Sequence, residues 1–246
     1  VFHSPALNEE IVLGDNQLFL EQSTQPIALL LTDPPWGAGT QNRGTAYEFK
    51  DDPQQRDDLI QRVSVYAGRC ARTCFIACDS RWEPYWHIAL REQGFETENL
   101  VCESQLGNPG KSRWPVKHYY WVYGTTEKSI FDATYLPLEE RRARLGVGEH
   151  KQVAGVLRTT MSNTDPERVE GWQAQKPVWL LEAMIRTCTQ PGELVVDPFL
   201  GSGSTAIACM RTQRKIQGIE QNPASYAYIL QRIQREKTNG IPLFLL

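Results

Sequence analysis

Twice in this chain a run of apolar residues stops abruptly at Asp-Pro. The first is IALLLTDPPW (27–36); the second is ELVVDPF (193–199), which leads straight into the glycine turn LGSGSTAIA. Neither run alternates polar with apolar, so each reads as a strand buried on both faces, the pattern of a parallel sheet covered by helices. Further apolar runs at 11–15 (IVLGD), 74–79 (CFIACD), 98–104 (ENLVCES), 119–124 (YYWVYG) and 215–220 (KIQGIE) read as strands of the same kind. Between them, 56–71, 83–95 and 175–188 read as helices, the first and last from apolar residues at helical spacing, and two more helices open in GSGSTAIACMRT from Gly201 and at Pro223. The rhythm predicts an α/β fold with a mostly parallel sheet.

From about 129 to 171 that rhythm stops. The stretch is polar and charged, shows no sheet pattern and reads as an insertion or small subdomain. The six cysteines include no C-x-x-C pair, and Cys74 and Cys78 lie in an apolar run, so they are expected as core thiols. None of the four histidines (His3, His87, His118, His150) has ligand spacing, and no metal site is expected. The opening VFHSPALNEE has neither a basic start nor an apolar core, and no run is long enough to span a bilayer. An intracellular, cytoplasmic protein without a membrane partner is therefore expected. With 26 basic and 29 acidic residues the net charge is −3, so a polyanionic partner must be met by a local basic patch.

In open α/β sheets, ligands lie outside the carboxyl ends of strands where the strand order reverses. If the two Asp-Pro strands are neighbours there, Asp33 and Gly201–Gly203 face one crevice. The glycine turn permits close backbone approach, and the helix after it offers free N–H groups to an anion. No Gly-Lys-Ser/Thr follows, which excludes a phosphate P-loop. Gly201-x-Gly203-x-x-Ala206, with Glu220 ending the next strand, fits a nucleoside-containing cofactor, NAD or another.

Asp33-Pro34-Pro35-Trp36 narrows the chemistry. Both prolines hold φ near about −65° and lack N–H groups, so the Pro34 carbonyl is rigid with no local donor competing for it. Together with the Asp33 carboxylate it can accept both hydrogens of an exocyclic NH2, while Trp36 stacks on the ring that carries the amine. Such an amine is a poor nucleophile because its lone pair is delocalised. Two preorganised acceptors favour a pyramidal nitrogen, and one such contact is worth on the order of 3 kcal/mol in the transition state.

The two motifs, D-P-P-[YW] and D-P-F-x-G-S-G-[ST], resemble those of the amino-methylating DNA methyltransferases that use S-adenosyl-L-methionine. The likeness extends to the Gly14-Asp15 strand end, Gln175-Lys176-Pro177, Gly218-Ile219-Glu220 with Asn222-Pro223, and Lys117-His118-Tyr119-Tyr120. The catalytic motif precedes the glycine motif, as in the β arrangement of that family. The resemblance implies a Rossmann-like sheet of seven strands, with 119–124 antiparallel. It implies a catalytic domain from 1–124 and 172–246, and a target-recognition insertion at 125–171. It also implies cofactor contacts from Asp15, Asp33, Lys176, Asp197, Phe199, Gly201, Ser202, Gly203, Ser204, Thr205 and Glu220. Asp33, Pro34, Pro35 and Trp36 would be catalytic. Two positions depart from the family pattern: Trp36 stands where Tyr is commoner, and Gly-Trp-Gln-Ala precedes Gln-Lys-Pro where His-Pro-Thr is frequent.

Asn42, Arg43 and Tyr47, beyond the catalytic motif, and Lys111, Arg113 and Lys117, in a basic loop with Trp114, are expected to contact the substrate. Arg141, Arg142 and Arg144 form a second basic group. The expected partner is double-stranded DNA with the target base flipped out, since an amine inside a duplex cannot reach Asp33. The family's adenine enzymes usually open this motif with Asp and its cytosine-N4 enzymes with Ser, so N6 of adenine is the expected acceptor. N4 of cytosine is the first alternative; an RNA or protein amide acceptor is more remote. An NAD-dependent oxidoreductase would give Asp-Pro-Pro-Trp no task, and a silent DNA-binding subunit would be expected to lack one of these positions. Family members of this arrangement often form homodimers and belong to bacterial or phage restriction-modification systems.

Overall fold

The central strand is buried along its whole length, as its sequence demands. All six residues of β2 (Ile27–Thr32) are shielded from solvent. A computed structural model describes residues 9–36, 53–103, 118–135, 139, 156–158, 167–169, 172 and 175–239. Among these, β2 is joined by β1 (Glu9–Leu13), β3 (Ala71–Cys78), β4 (Glu96–Glu103), β5 (His118–Thr125), β6 (Val156–Arg158), β7 (Leu194–Asp197) and β8 (Lys215–Glu220) in one sheet. The strand order is β1-β8-β7-β2-β3-β5-β4-β6. Only β5 runs against its neighbours, pairing antiparallel with β3 and β4. The β2–β7 pair, with Leu29 opposite Val195 and Leu30 opposite Val196, is parallel. From β2 the chain proceeds to β3 on one side; from β7 it proceeds to β8 on the other, so the order reverses between the two Asp-Pro strands.

Helices cover both faces. Helices α1 (Asn16–Gln22), α2 (Pro53–Cys70) and α3 (Glu83–Glu92) pack Leu20, Ile60, Val63, Tyr66, Trp86 and Leu90 against Leu30, Ile76 and Val196. On the opposite face α4 (Val178–Cys188), α5 (Ser204–Arg211) and α6 (Pro223–Asn239) pack Leu181, Ile185, Ile207 and Ile229 against Leu29, Leu31 and Val195. The period-two alternation of β2 thus feeds two separate cores. All six cysteines are free and buried, with Cys74 and Cys78 in the first of them. Among the described residues no helix is long and apolar enough to cross a membrane.

Three features differ from the sequence expectation. The sheet has an eighth strand, β6, taken from the segment read as an insertion without sheet pattern. Three residues are too few to show alternation; β6 exists because β4 offers an open edge, with Val101, Cys102 and Glu103 opposite Val156, Leu157 and Arg158. Leu157 is buried in the core there. Helix α1 was not anticipated. Asp15, which reads as a strand terminator, caps it by accepting the Gln17 N–H at 2.8 Å. Finally, α2 passes into β3 at Ala71 without a loop, because pairing with β2 already begins at Ile27 opposite Ala71.

The β3–β5 register leaves one position where only glycine fits. A Cβ added to Gly124 would stand 2.6 Å from Cys74 Sγ and 3.2 Å from the Phe95 ring. Gly124→Ala is expected to destabilise the protein by about 1–3 kcal/mol through overpacking. The same change in a Cys74→Ala background should cost distinctly less, as measured by urea denaturation. Equal costs in both backgrounds would argue against this register.

Candidate active site

One buried carboxylate joins the two Asp-Pro strand ends. Asp197, 3% exposed at the end of β7, accepts the Thr32 hydroxyl from β2 at 2.8 Å. It also accepts the Thr205 hydroxyl from α5 at 2.7 Å and the Phe199 N–H at 3.1 Å. Burial pushes its carboxyl up to about 6 despite these three donors, and the Asp33 carboxylate nearby acts in the same direction.

The glycine turn grows out of that anchor. Gly201 and Gly203 both lie in the left-handed region, at φ 55° and 79°. Gly203 precedes α5 without any side-chain cap, so the first amides of the helix are not taken by a capping side chain. A Cβ on Gly203 would come within 3.2 Å of Ile229, and one on Gly201 would stand 3.7 Å from the Trp172 ring. Arg232 of α6 holds the turn from behind, donating to the Ser202 carbonyl at 2.9 Å and the Ser204 hydroxyl at 3.1 Å. The Ser202 and Ser204 hydroxyls bond each other at 3.1 Å.

Glu220, at the end of β8, is tied to the same turn. One carboxylate oxygen accepts the Gly201 N–H at 2.9 Å and the other the Asn222 N–H at 2.8 Å. Burial raises its carboxyl above the usual range, against the pull of these amides. Its backbone carbonyl accepts the Gly14 N–H at 3.1 Å, which brings the β1 end and Asp15 alongside.

On the β2 side the chain continues as Asp33, Pro34, Pro35 and Trp36, with Pro34 buried and the other three half-buried. The Trp36 indole N–H donates to the Ala77 carbonyl at 3.1 Å. The Lys176 ammonium, just ahead of α4, lies 2.5 Å from Asp33 Oδ2. It also lies 4.8 Å from the centre of the Trp36 ring and 5.1 Å from that of Tyr119. Gln175 folds the preceding chain, its amide donating to the Glu167 carbonyl at 2.8 Å and accepting the Val169 N–H at 2.7 Å. Arg211 of α5 pairs with Glu167 and so anchors that fold.

The structure therefore brings together Asp15, Asp33, Pro34, Pro35, Trp36, Lys176, Asp197, Phe199, Gly201–Thr205 and Glu220 around the carboxyl ends of four adjacent strands. Phe199, partly buried, packs against the core beside α1–α3. Asn42, Arg43, Tyr47, Lys111, Arg113 and Lys117, with Arg141, Arg142, Arg144, Lys151 and the side chain of Arg158, lie outside the described residues. Among the described residues no group of three or more His, Cys, Asp or Glu could hold a metal ion. Sequence reasoning missed Thr32, Tyr119, Trp172 and Arg232. Thr32 carried a signal, a hydroxyl ending an otherwise apolar run. Tyr119 is one of several aromatics in YYWVY, and Arg232 looks like any arginine on an amphipathic helix.

The raised Asp197 carboxyl makes stability depend on pH. In the fold it keeps its proton to about pH 6, whereas an unfolded aspartate loses it near about pH 4. The native state thus holds more protons in that window, and wild-type stability falls as pH rises through it. Asp197→Asn does not titrate. Its melting temperature relative to wild type is expected to rise by a few degrees between about pH 4 and about pH 7. A difference that stays flat across that range would refute the shift.

A family model described as DNA methylase matches residues 27–231. The Type II methyltransferase M.BglI of Bacillus subtilis is 41% identical over 187 residues, 75% of this chain and 45% of the relative. The Type II methyltransferase M.Cfr9I of Citrobacter freundii is 36% identical over 168 residues, 63% of this chain and 51% of the relative. The chain thus spans about half the length of the curated relatives it matches. The solved M1.HpyAVI–SAM complex superposes with a TM-score of 0.65 at 22% identity, covering 92% of this chain and 98% of that one. The cytosine-N4-specific PvuII DNA methyltransferase gives 0.67 at 20% identity, covering 94% and 91%. These two likenesses establish the Rossmann-like methyltransferase fold. By the family match across most of its length, the chain belongs to the DNA methylase family of N6-adenine and N4-cytosine methyltransferases.

Proposed function

We propose that this chain transfers a methyl group from S-adenosyl-L-methionine to the exocyclic amino nitrogen of a flipped-out DNA base, N6 of adenine. The observation that carries this reading is the adjacency of the two motifs. The Thr32–Asp197 hydrogen bond and the β2–β7 pairing hold Asp33 and the glycine turn at neighbouring strand ends.

The residues present fit the cofactor. Glu220 has both carboxylate oxygens fixed by backbone amides, which sets the orientation of the group toward ribose hydroxyls. Gly201 has no Cβ, and an added one would meet no atom closer than 3.7 Å, which leaves room for a nucleoside to approach the backbone. The uncapped first turn of α5 suits the cofactor carboxylate; adenine is given to Asp15 by the family resemblance, with Oδ1 of that residue already accepting the Gln17 N–H. Asp197, Ser204 and Thr205 are buried and bonded within the protein, so they act by shaping the turn. Bound there, S-adenosyl-L-methionine supplies an electrophilic methyl group.

The chain's own residues do the rest. The Asp33 carboxylate and the Pro34 carbonyl accept the two amine hydrogens and turn the nitrogen lone pair outward. Trp36, held by Ala77, offers a ring face to the base. Asn42, Arg43 and Tyr47 with Lys111, Arg113 and Lys117 contact the DNA, and 125–171 carries target recognition.

Incubation with DNA and cofactor, followed by digestion to nucleosides and mass spectrometry, is expected to yield N6-methyladenine. N4-methylcytosine would reassign the base and leave the machinery; no methylated base at all would overturn the proposal. Asp33→Ala should lower turnover by on the order of 10³-fold or more while S-adenosylhomocysteine still binds. Replacing Lys111 and Arg113 with Ala should weaken DNA binding and reduce the slope of log affinity against log salt by roughly 1 per lost phosphate contact. An unchanged slope would remove them from the interface.

A further inference from the structure

The family resemblance assigns Lys176 to the cofactor, yet its ammonium is directed elsewhere. It lies 2.5 Å from Asp33 Oδ2, across 143 positions of sequence, with Lys176 itself only 9% exposed. On its other sides it meets the rings of Trp36 and Tyr119, whose centres are 6.0 Å apart. One buried cation therefore touches both working parts of the Asp-Pro-Pro-Trp motif, the acceptor and the stacking ring.

This arrangement has a physical reason. A carboxylate has two equivalent oxygens and turns readily about its last torsion, so Asp33 alone would present no defined acceptor. An ammonium on Oδ2 fixes the plane of the group and leaves Oδ1 as the oxygen that meets the amine. The site is also rich in negative charge, with Asp197 close enough to be affected by Asp33. A buried counter-cation offsets the cost of keeping a second carboxylate there. The same ammonium attracts the face of the Trp36 indole, whose edge is pinned to the Ala77 carbonyl. The ring is thus gripped at its face and at its edge.

We infer that Lys176 is a positioning residue for methyl transfer, acting through Asp33 and Trp36 and not by gripping the cofactor. The inference rests on the function proposed above. It predicts a split that a cofactor ligand would not give. In Lys176→Met, the dissociation constant for S-adenosylhomocysteine, measured by calorimetry, should stay within about twofold, while kcat falls by roughly 10- to 100-fold with little change in the KM for DNA. Lys176→Arg, which restores a cation at the carboxylate, should recover part of kcat. A tenfold or greater weakening of S-adenosylhomocysteine binding, or an unchanged kcat, would overturn the inference.

A double-mutant cycle read by urea denaturation serves even if one variant folds poorly. Asp33→Asn and Lys176→Gln should be non-additive, with the pair costing less than the sum of the singles. Additive costs would overturn the pairing. Wild-type protein that binds S-adenosylhomocysteine but methylates no DNA, together with a non-additive cycle, would sink the proposed function and leave the Lys176–Asp33 pair standing.

Discussion

A carboxylate withdrawn from water at the centre of the sheet is the constraint on which the site depends. Asp197 accepts from Thr32 on β2, from Thr205 on α5 and from the backbone of Phe199, so three segments meet at one group. Buried charge of this kind is costly when a donor is missing, which is why the arrangement tolerates few alternatives. Because the donors come from separate segments, satisfying the carboxylate sets the height of β2 against β7 and the start of α5. The glycine turn and the Asp-Pro-Pro-Trp motif then open on one crevice as a consequence of that pairing.

Three acids at neighbouring strand ends are stabilised in three different ways. Asp33 is met by an ammonium, Asp197 by two hydroxyls and an amide, and Glu220 by backbone amides alone. The differences track what each can still do. Asp197 is enclosed and serves the scaffold. Glu220 is held by backbone amides at both oxygens and remains at the edge of the turn where a ligand can reach it. Asp33 is partly exposed, with Oδ2 held by the Lys176 ammonium. Identical chemical groups thus acquire different tasks through their neighbours.

The supports of the site come from far along the chain. Arg232 holds the glycine turn from α6, Arg211 anchors the segment before Lys176 through Glu167, and Gln175 folds that segment on itself. Trp172, carried on the same fold, lies beside Gly201. Each is a polar or aromatic residue whose partner is defined only by packing. A change at any of them would reach the crevice through the turn or through Lys176.

What could be read from the amino acids alone is what local chemistry dictates. Apolar runs without alternation announce buried strands, proline fixes φ, and glycine admits left-handed backbone. The two Asp-Pro strand ends, Glu220 and the order of elements were therefore legible. Helix α1 and β6 were not, since a seven-residue helix shows little periodicity and a three-residue strand shows none. Nor was the pairing of Lys176 with Asp33, because nothing in Gln-Lys-Pro specifies a carboxylate 143 positions away. Residue type limits which bonds a side chain can make. Which of them it does make depends on what the folded sheet carries to within a few ångströms, and that was settled only when β2, β7 and the start of α4 came together.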